Sequence, residues 1–458
     1  MKNNYNIKKA SRARVLLRTA AMFFALFFIL SPATVPVSAI SSRDAATPKD
    51  VGLETDHIGA AYIYNIENDF AALSYKIDDT IYPASTVKIM TGLIAIEELG
   101  ENLVELVTVT EDMLEGVAGR TIGFEVGEEL MVESLLYALL VGGGNDAAHI
   151  LAVRIAGSVD GFVDMMNRRA VELGALATHY TNPSGIHDSS MFTTVSDTAK
   201  IALEAYKLPL FMEITSTSKY VIPKTNKNEY RNVFNLNYLI STSSVSKYFY
   251  ADAAGMSSGA TVQGGYCLVT TASRDGLTYL AIVMGADVDE DKDIVYSYTE
   301  AAKLFDYAFS AYANITLVEE GQMICEIPVT MSGTTDFVTL VTAESLTLYL
   351  PTDTDLEREI KRSRKTNYDS LTAPVVEGQT AGVLTIMYND EVVGNVDLIT
   401  TVAVARSEFL YTLEQIKSFA TGRFFIAAVI SAVVFTVIFI LGKAVYLHRK
   451  TKYRGRYS

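Results

Sequence analysis

Residues 82–97 read YPASTVKIMTGLIAIE, and the reading of this stretch decides the fold. Ile89, Leu93 and Ile96 recur at helical spacing between Pro83, which opens a helix, and Gly100, which ends one. Ser85 then falls in the first turn, and Lys88 lies over the same face. A helix N-terminus stabilises an oxyanion and disfavours an ammonium ion. Burial in that setting pushes a lysine pKa down until the neutral amine takes the serine proton. The spacing suits equally a capping serine beside a solvated lysine. S-x-x-K is a weak pattern by itself: the chain repeats it at Ser216/Lys219 and Ser244/Lys247, where no comparable helix follows.

On either side of this helix the pattern is mixed. Residues 58–74, IGAAYIYNIENDFAALS, place apolar strand-like pieces around an Asn/Glu/Asp turn and predict a hairpin. Val132 to Leu140 and Ala147 to Ala156 predict helices separated by Gly142-Gly143-Gly144, and Asp160 to Leu173 predicts another. YCLVTTAS and LTYLAIVMGA flank the turn Arg274-Asp275-Gly276 as two strands, and Tyr298 to Tyr312 returns to helix. Strands from both ends of this region therefore meet around a helical middle, an α+β arrangement. After Asn314 the texture changes to short β-rich runs such as FVTLVTA, SLTLYL and GVLTIMY, which predict a small β-rich domain without catalytic clusters.

The chain has 458 residues, room for more than one domain. Its net charge of −15 is unevenly spread. Setting aside the 12 Lys and Arg of the two termini leaves 26 basic against 53 acidic side chains, about −27 for the body. Such a surface argues against nucleic-acid binding. Residues 19–30, TAAMFFALFFIL, follow a basic start and precede Val37-Ser38-Ala39, the three parts of a secretory signal covering residues 1–39. Residues 406–423 carry Leu410, Leu413, Ile416 and Phe419 on one helical face. Residues 424–442, FFIAAVISAVVFTVIFILG, are uncharged and followed by a basic tail, 443–458, which predicts a membrane-spanning helix with its C-terminus inside and the body outside. Cys267 lies in an apolar run and reads as a buried thiol; no Cys/His set has zinc spacing, so neither a disulfide framework, a metal nor any other cofactor is expected.

YPASTVKIMTGLIAIE closely resembles the nucleophile segment of the D-alanyl-D-alanine carboxypeptidases, low-molecular-mass penicillin-binding proteins of the serine β-lactamase-like superfamily. Three later stretches resemble that family in the same order: TIGFEVGEELMVESLLYALLVGGGNDAA, HYTNPSGIHDSSMFTTVSDTAKIA and GGYCLVTTASRDGLTYLAIVMGA. APVVEGQTAGVLTIMYNDEVVGNVDLIT resembles the closing strands of its accessory domain. The resemblance implies a penicillin-binding-protein-like domain over residues 40–312, an antiparallel sheet with a helical subdomain, and a β-rich domain over 313–405. It implies Ser85 as acylated nucleophile, Lys88 as general base and Asn145 as a holder of Lys88 and the substrate; Asn145 also suits a helix N-cap. It implies an oxyanion hole from the N–H groups of Ser85 and Ala260, and substrate binding along Ser257, Ser258, Gly259, Ala260 and Thr261. The implied substrate is a peptidoglycan stem peptide ending in D-Ala-D-Ala, with β-lactams as inhibitors.

Two positions depart from the family pattern. Gly143 replaces the serine of S-x-N and has no hydroxyl to pass a proton to the leaving amine. Ser257-Ser258-Gly259 replaces K-T-G, removing a lysine that binds the substrate's terminal carboxylate and keeps its neighbour's pKa low. Each loss is worth about 10²–10⁴ in rate. Ser258 keeps a hydroxyl where the family has threonine, but Ser257 supplies no cation, and the sequence does not decide whether another residue such as Arg120 does. Two readings follow: a serine-type D-Ala-D-Ala carboxypeptidase acting through a Ser85 acyl-enzyme at reduced or altered efficiency, and a silent membrane-tethered homologue that binds peptidoglycan or scaffolds. The same substitution makes Gly255-Met256-Ser257-Ser258-Gly259 fit the G-x-S-x-G nucleophile elbow, which needs a strand before it and a helix after it. His179 and His187 beside Asn182-Pro183 read as loop structure.

Overall fold

The computed structural model describes residues 45–241 and 247–454, with side chains to His448. The expected signal at 1–39 and Ser244 of the third S-x-x-K pattern lie outside the described residues. The chain divides into two units, one of residues 40–314 with 349–354, the other including 315–348 and 355–458.

The first unit is built on a five-stranded antiparallel sheet: β1 (Ala60–Asn65), β2 (Phe70–Tyr75), β3 (Ala253–Thr261), β4 (Gly265–Arg274) and β5 (Leu277–Ala286), in the order β2-β1-β5-β4-β3. The predicted hairpins are β1–β2 and β4–β5, the latter turning at Asp275 and Gly276 with φ of 53° and 77°, a pair of left-handed residues that matches the twist of a two-residue hairpin. β5 is a continuous apolar run because both its faces are covered. Leu280, Ile282 and Met284 enter one core with the helical middle, while Tyr279, Ala281 and Val283 enter another with the C-terminal helix of the unit.

The helical middle consists of α1 (Val87–Leu99), α2 (Val132–Leu140), α3 (Asn145–Ala156), α4 (Val159–Glu172), α5 (Val195–Tyr206) and α6 (Pro209–Thr215); α7 (Tyr296–Ala311) covers the opposite face of the sheet. α1 is apolar almost all round, which is the pattern of a helix buried on every side, and it packs against α2, α3 and α5. That burial deprives Lys88, in its first turn, of solvent. α3 begins at Asn145 with Gly144 as its N-cap, so the capping role read for Asn145 is corrected; its amide is turned to a neighbouring loop instead.

The second unit contains a six-stranded sheet of β6 (Met323–Thr330), β7 (Phe337–Thr342), β8 (Ile360–Thr366), β9 (Leu371–Thr372), β10 (Thr380–Tyr388) and β11 (Glu391–Thr400), in the order β8-β10-β11-β7-β6-β9. β10 and β11 alternate buried and exposed positions, as a sheet with one dry face does. Ser407 caps α8 (Glu408–Thr421) through its side chain, and after Gly422 the chain continues as α9 (Arg423–Arg454). Residues Arg423–His448 of α9 form a 26-residue helix long and apolar enough to cross a membrane. At 1.5 Å per residue it spans roughly 39 Å, more than a ~30 Å hydrocarbon core.

Candidate active site

Ser85 sits in a single 3₁₀ turn, Ala84–Thr86, that leads into α1. Ala84 is held at a left-handed φ of 48°, a conformation that costs an L-residue roughly 1–2 kcal/mol and presents the next residue on a sharp corner. The corner is backed by Gly185, where a Cβ would stand 2.0 Å from the Ala84 carbonyl oxygen; only a glycine lets the two backbones meet there.

Lys88 Nζ lies 3.2 Å from Ser85 Oγ and donates a 2.6 Å hydrogen bond to the Ser184 carbonyl. The aim of that carbonyl is set by Asn182, whose Oδ1 accepts the N–H groups of Ser184 and Gly185 and the Ser184 hydroxyl. The Thr91 hydroxyl donates to the Pro183 carbonyl and ties this loop to α1. The lysine is 2 % exposed, and burial pushes it down to about 7; the Arg120 guanidinium acts in the same direction, and the Asp146 carboxylate opposes both. Near neutral pH a large share of Lys88 is therefore a free amine. It gives an N–H to Ser184 and has a lone pair for the Ser85 proton.

The other wall of the cleft starts at Gly142-Gly143-Gly144. Asp146, buried in the first turn of α3, accepts the backbone N–H groups of Ile122, Gly123 and Phe124 and so clamps the preceding loop onto the helix. Asn145 Nδ2 donates to the Ala118 carbonyl at 2.8 Å, and its backbone N–H to the Arg120 carbonyl. Arg120 Nε in turn donates to the Gly142 carbonyl at 2.8 Å. Gly143 has φ 65°, and a Cβ there would lie 2.5 Å from Leu236 Cδ1 and 3.6 Å from Arg120 Cδ. The volume a serine side chain would need is held by Leu236.

β3, the edge strand, closes the site. A Cβ on Gly259 would lie 2.4 Å from Ser85 Cβ and 2.7 Å from Ser85 Oγ, so the strand runs directly against the serine. Ser257, on the same side, donates its hydroxyl to the Ser85 carbonyl at 3.0 Å. Ser258 points the other way, to the Tyr298 hydroxyl at 2.7 Å. Tyr298 donates to the Leu236 carbonyl, so the Ser258 hydrogen is the one shared between the two oxygens. Thr261 Oγ1 accepts the Gly264 N–H in the turn beyond. The structure thus brings Ser85, Lys88, Ser257 and Gly259 into contact, with Asn145 across the glycine run, and turns Ser258 inward.

Asp146, Ser184, Leu236 and Tyr298 were not expected in the site. Asp146 and Ser184 act through backbone partners, Leu236 and Tyr298 through space that only the folded chain defines. Gly255–Gly259 lies inside β3, with a hairpin rather than a helix after it, which removes the nucleophile-elbow reading. His187 stacks edge-on against Tyr82 and His179 bridges to Phe192, both as loop structure. Ser216 ends α6 and Lys219 opens an exposed strand, so the second S-x-x-K pair shares no helical face.

A family model described as D-alanyl-D-alanine carboxypeptidase matches residues 71–288, and one described as the C-terminal domain of penicillin-binding protein 5 matches residues 312–406. D-alanyl-D-alanine carboxypeptidase DacF of Bacillus subtilis is 26 % identical over 393 residues, 84 % of this chain and 97 % of its own. The solved D-alanyl-D-alanine carboxypeptidase DacD of Francisella tularensis shares the fold with a TM-score of 0.53 at 22 % identity, over 81 % of this chain and 98 % of that one. D-alanyl-D-alanine carboxypeptidase DacB2 of Mycobacterium tuberculosis is 31 % identical over 230 residues, half of this chain and 74 % of its own. A serine–lysine pair on a buried helix, backed by an edge strand and followed by the accessory β domain, accords with these matches: the chain belongs to the D-alanyl-D-alanine carboxypeptidase family.

Proposed function

We propose that this protein is a serine-type D-Ala-D-Ala carboxypeptidase that removes the terminal D-alanine of peptidoglycan stem peptides. It works on the outer face of the membrane to which α9 anchors it. The observation that carries this is the Lys88–Ser85 contact of 3.2 Å with a lysine too buried to stay fully charged. In this reading Lys88 takes the Ser85 proton as Oγ attacks the penultimate D-Ala carbonyl carbon. The tetrahedral intermediate collapses, the C–N bond breaks, and the proton passes to the leaving amine of D-alanine. Water, deprotonated by the same amine, then attacks the ester carbon and returns Ser85 to its hydroxyl form. The position of β3 at the edge of its sheet supports an extended peptide pairing alongside it. With glycine at 143 the proton reaches the leaving nitrogen from Lys88 without a hydroxyl relay, so turnover is expected to be slow.

The second reading, a silent homologue that binds stem peptides, draws on a specific observation. Leu236 fills the space beside Gly143, and the hydroxyls of Ser257 and Ser258 are committed to Ser85 and Tyr298. D-Alanine release from a stem-peptide mimic by the full-length chain, beside Ser85→Ala, separates the two. Release that disappears in the variant supports the enzyme; equal silence from two folded proteins favours the binding protein.

A further inference from the structure

Cleavage one residue from a free C-terminus brings a carboxylate into the site. The charge lies one residue beyond the carbonyl under attack, roughly 3.5 Å of chain away. A carboxylate entering a partly dry cleft needs a cation or strong donors, because leaving it unpaired costs several kcal/mol. β3 offers little. The Ser257 hydrogen is on the Ser85 carbonyl, and the Ser258 hydrogen is on Tyr298. Thr261 retains an O–H but no charge. Lys88 is buried and must be neutral to accept a proton.

Arg120 stands on the opposite wall with its root fixed at three points. Its carbonyl accepts the Asn145 N–H, its Nε donates to Gly142, and the next residues are clamped by Asp146. Its aliphatic stem lies beside Gly143, with Cδ 3.6 Å from where a Cβ there would stand. The residue is exposed, and among the described residues no carboxylate forms an ion pair with it. Nε is engaged, which leaves the Nη hydrogens for a ligand, and a guanidinium matches a carboxylate with two parallel donors. Its Nε–Gly142 bond and its carbonyl's bond to the Asn145 N–H fix it to the wall that carries Asn145.

We propose that Arg120 binds the terminal carboxylate of the peptide substrate, supplying from the glycine-run side the cation that Ser257 does not supply from β3. This rests on the carboxypeptidase reading only for the identity of the ligand, a peptide ending in D-Ala-D-Ala with a free carboxylate. The test is therefore an equilibrium one in the Ser85→Ala background, where nothing turns over. Full-length protein in detergent is titrated with two peptides that differ only in ending as D-Ala-D-Ala acid or as its amide. With Arg120 present the acid binds more tightly, by about 10- to 100-fold. Arg120→Gln brings the ratio close to one, and Arg120→Lys restores part of it. A loop merely loosened by the substitution weakens both peptides alike and leaves the ratio standing.

A ratio that survives in folded Arg120→Gln overturns the proposal, as does failure of the parent protein to bind the acid or to prefer it. Arg120-dependent preference in a chain that never releases D-alanine would overturn the enzyme reading while upholding this one.

Discussion

Lys88 reaches Ser85 from the first turn of a helix that is dry on nearly every side, and its proton equilibrium follows from that burial. Only the neutral amine serves as base, so acylation of Ser85 by a β-lactam rises by roughly tenfold per pH unit at low pH and levels off above about 7. Arg120→Gln removes a charge that lowers the lysine and moves this inflection to higher pH. An intact-mass time course across pH measures both; a profile flat down to pH 5 would show that Lys88 is not the base. The folded-state pKa lies below the unfolded one, so the unfolded chain binds the extra proton. Lys88 therefore contributes a stability term that grows as pH rises from about 7 towards the ordinary lysine range. Gly143 is the second decisive position. Gly143→Ser forces an L-residue into a left-handed φ and pushes Leu236, so it should cost about 1–2 kcal/mol in denaturant titration. Adding Leu236→Ala should give a smaller total loss than the sum of the two single changes. With Ser257→Lys included, that triple variant should release D-alanine faster than the parent. An unchanged rate in a folded triple variant would count against the alignment of these positions.

At the level of the element, β3 shows why part of the site could not be read in advance. Its sequence AAGMSSGAT has almost none of the β-branched or aromatic residues that mark strands, so periodicity assigns it no element. The small residues are there because of what the strand lies against. A Cβ on Gly255 would stand 1.8 Å from the Thr215 carbonyl oxygen, and one on Gly259 would strike Ser85. The composition that hides the strand is what lets it touch the serine. By contrast β4, β5, α1 and α2 announced themselves, because apolar period and turn chemistry agreed there. Ser85, Lys88 and Asn145 were legible through their resemblance to a known segment; Leu236 and Tyr298 were not, since no local pattern encodes a side chain that fills a distant gap. Gly259→Ala should therefore reduce β-lactam acylation about 100-fold or more without removing any reacting group, because even an ångström of displacement at Ser85 suffices. Unaltered acylation in that variant would mean the strand yields, and that its close approach does not set the site.

At the scale of the whole molecule, an acidic body is joined to a long apolar helix with a basic end. Membrane attachment and chemistry should then be separable. The groups proposed to react all lie within residues 85–261, while the hydrocarbon-length segment is Arg423–His448, in the other unit. A helix of this length and hydropathy, if inserted in lipid, would hold the chain far more firmly than an acidic protein surface could be held by anionic headgroups. Ending the chain at Thr421 should move the protein from the membrane pellet to the supernatant. The rate of Ser85 acylation by a soluble β-lactam should stay within about twofold, since the removed segment belongs to the other unit and contributes no residue to the site. Release of D-alanine from the free stem peptides of intact wall, by contrast, should fall in the released protein if anchoring sets the local concentration of enzyme near its polymer. Fractionation of the two forms checks the first expectation. A truncated chain that still sediments with membranes would transfer the anchoring role to α8, whose Phe409, Leu413, Ile416 and Phe419 are exposed.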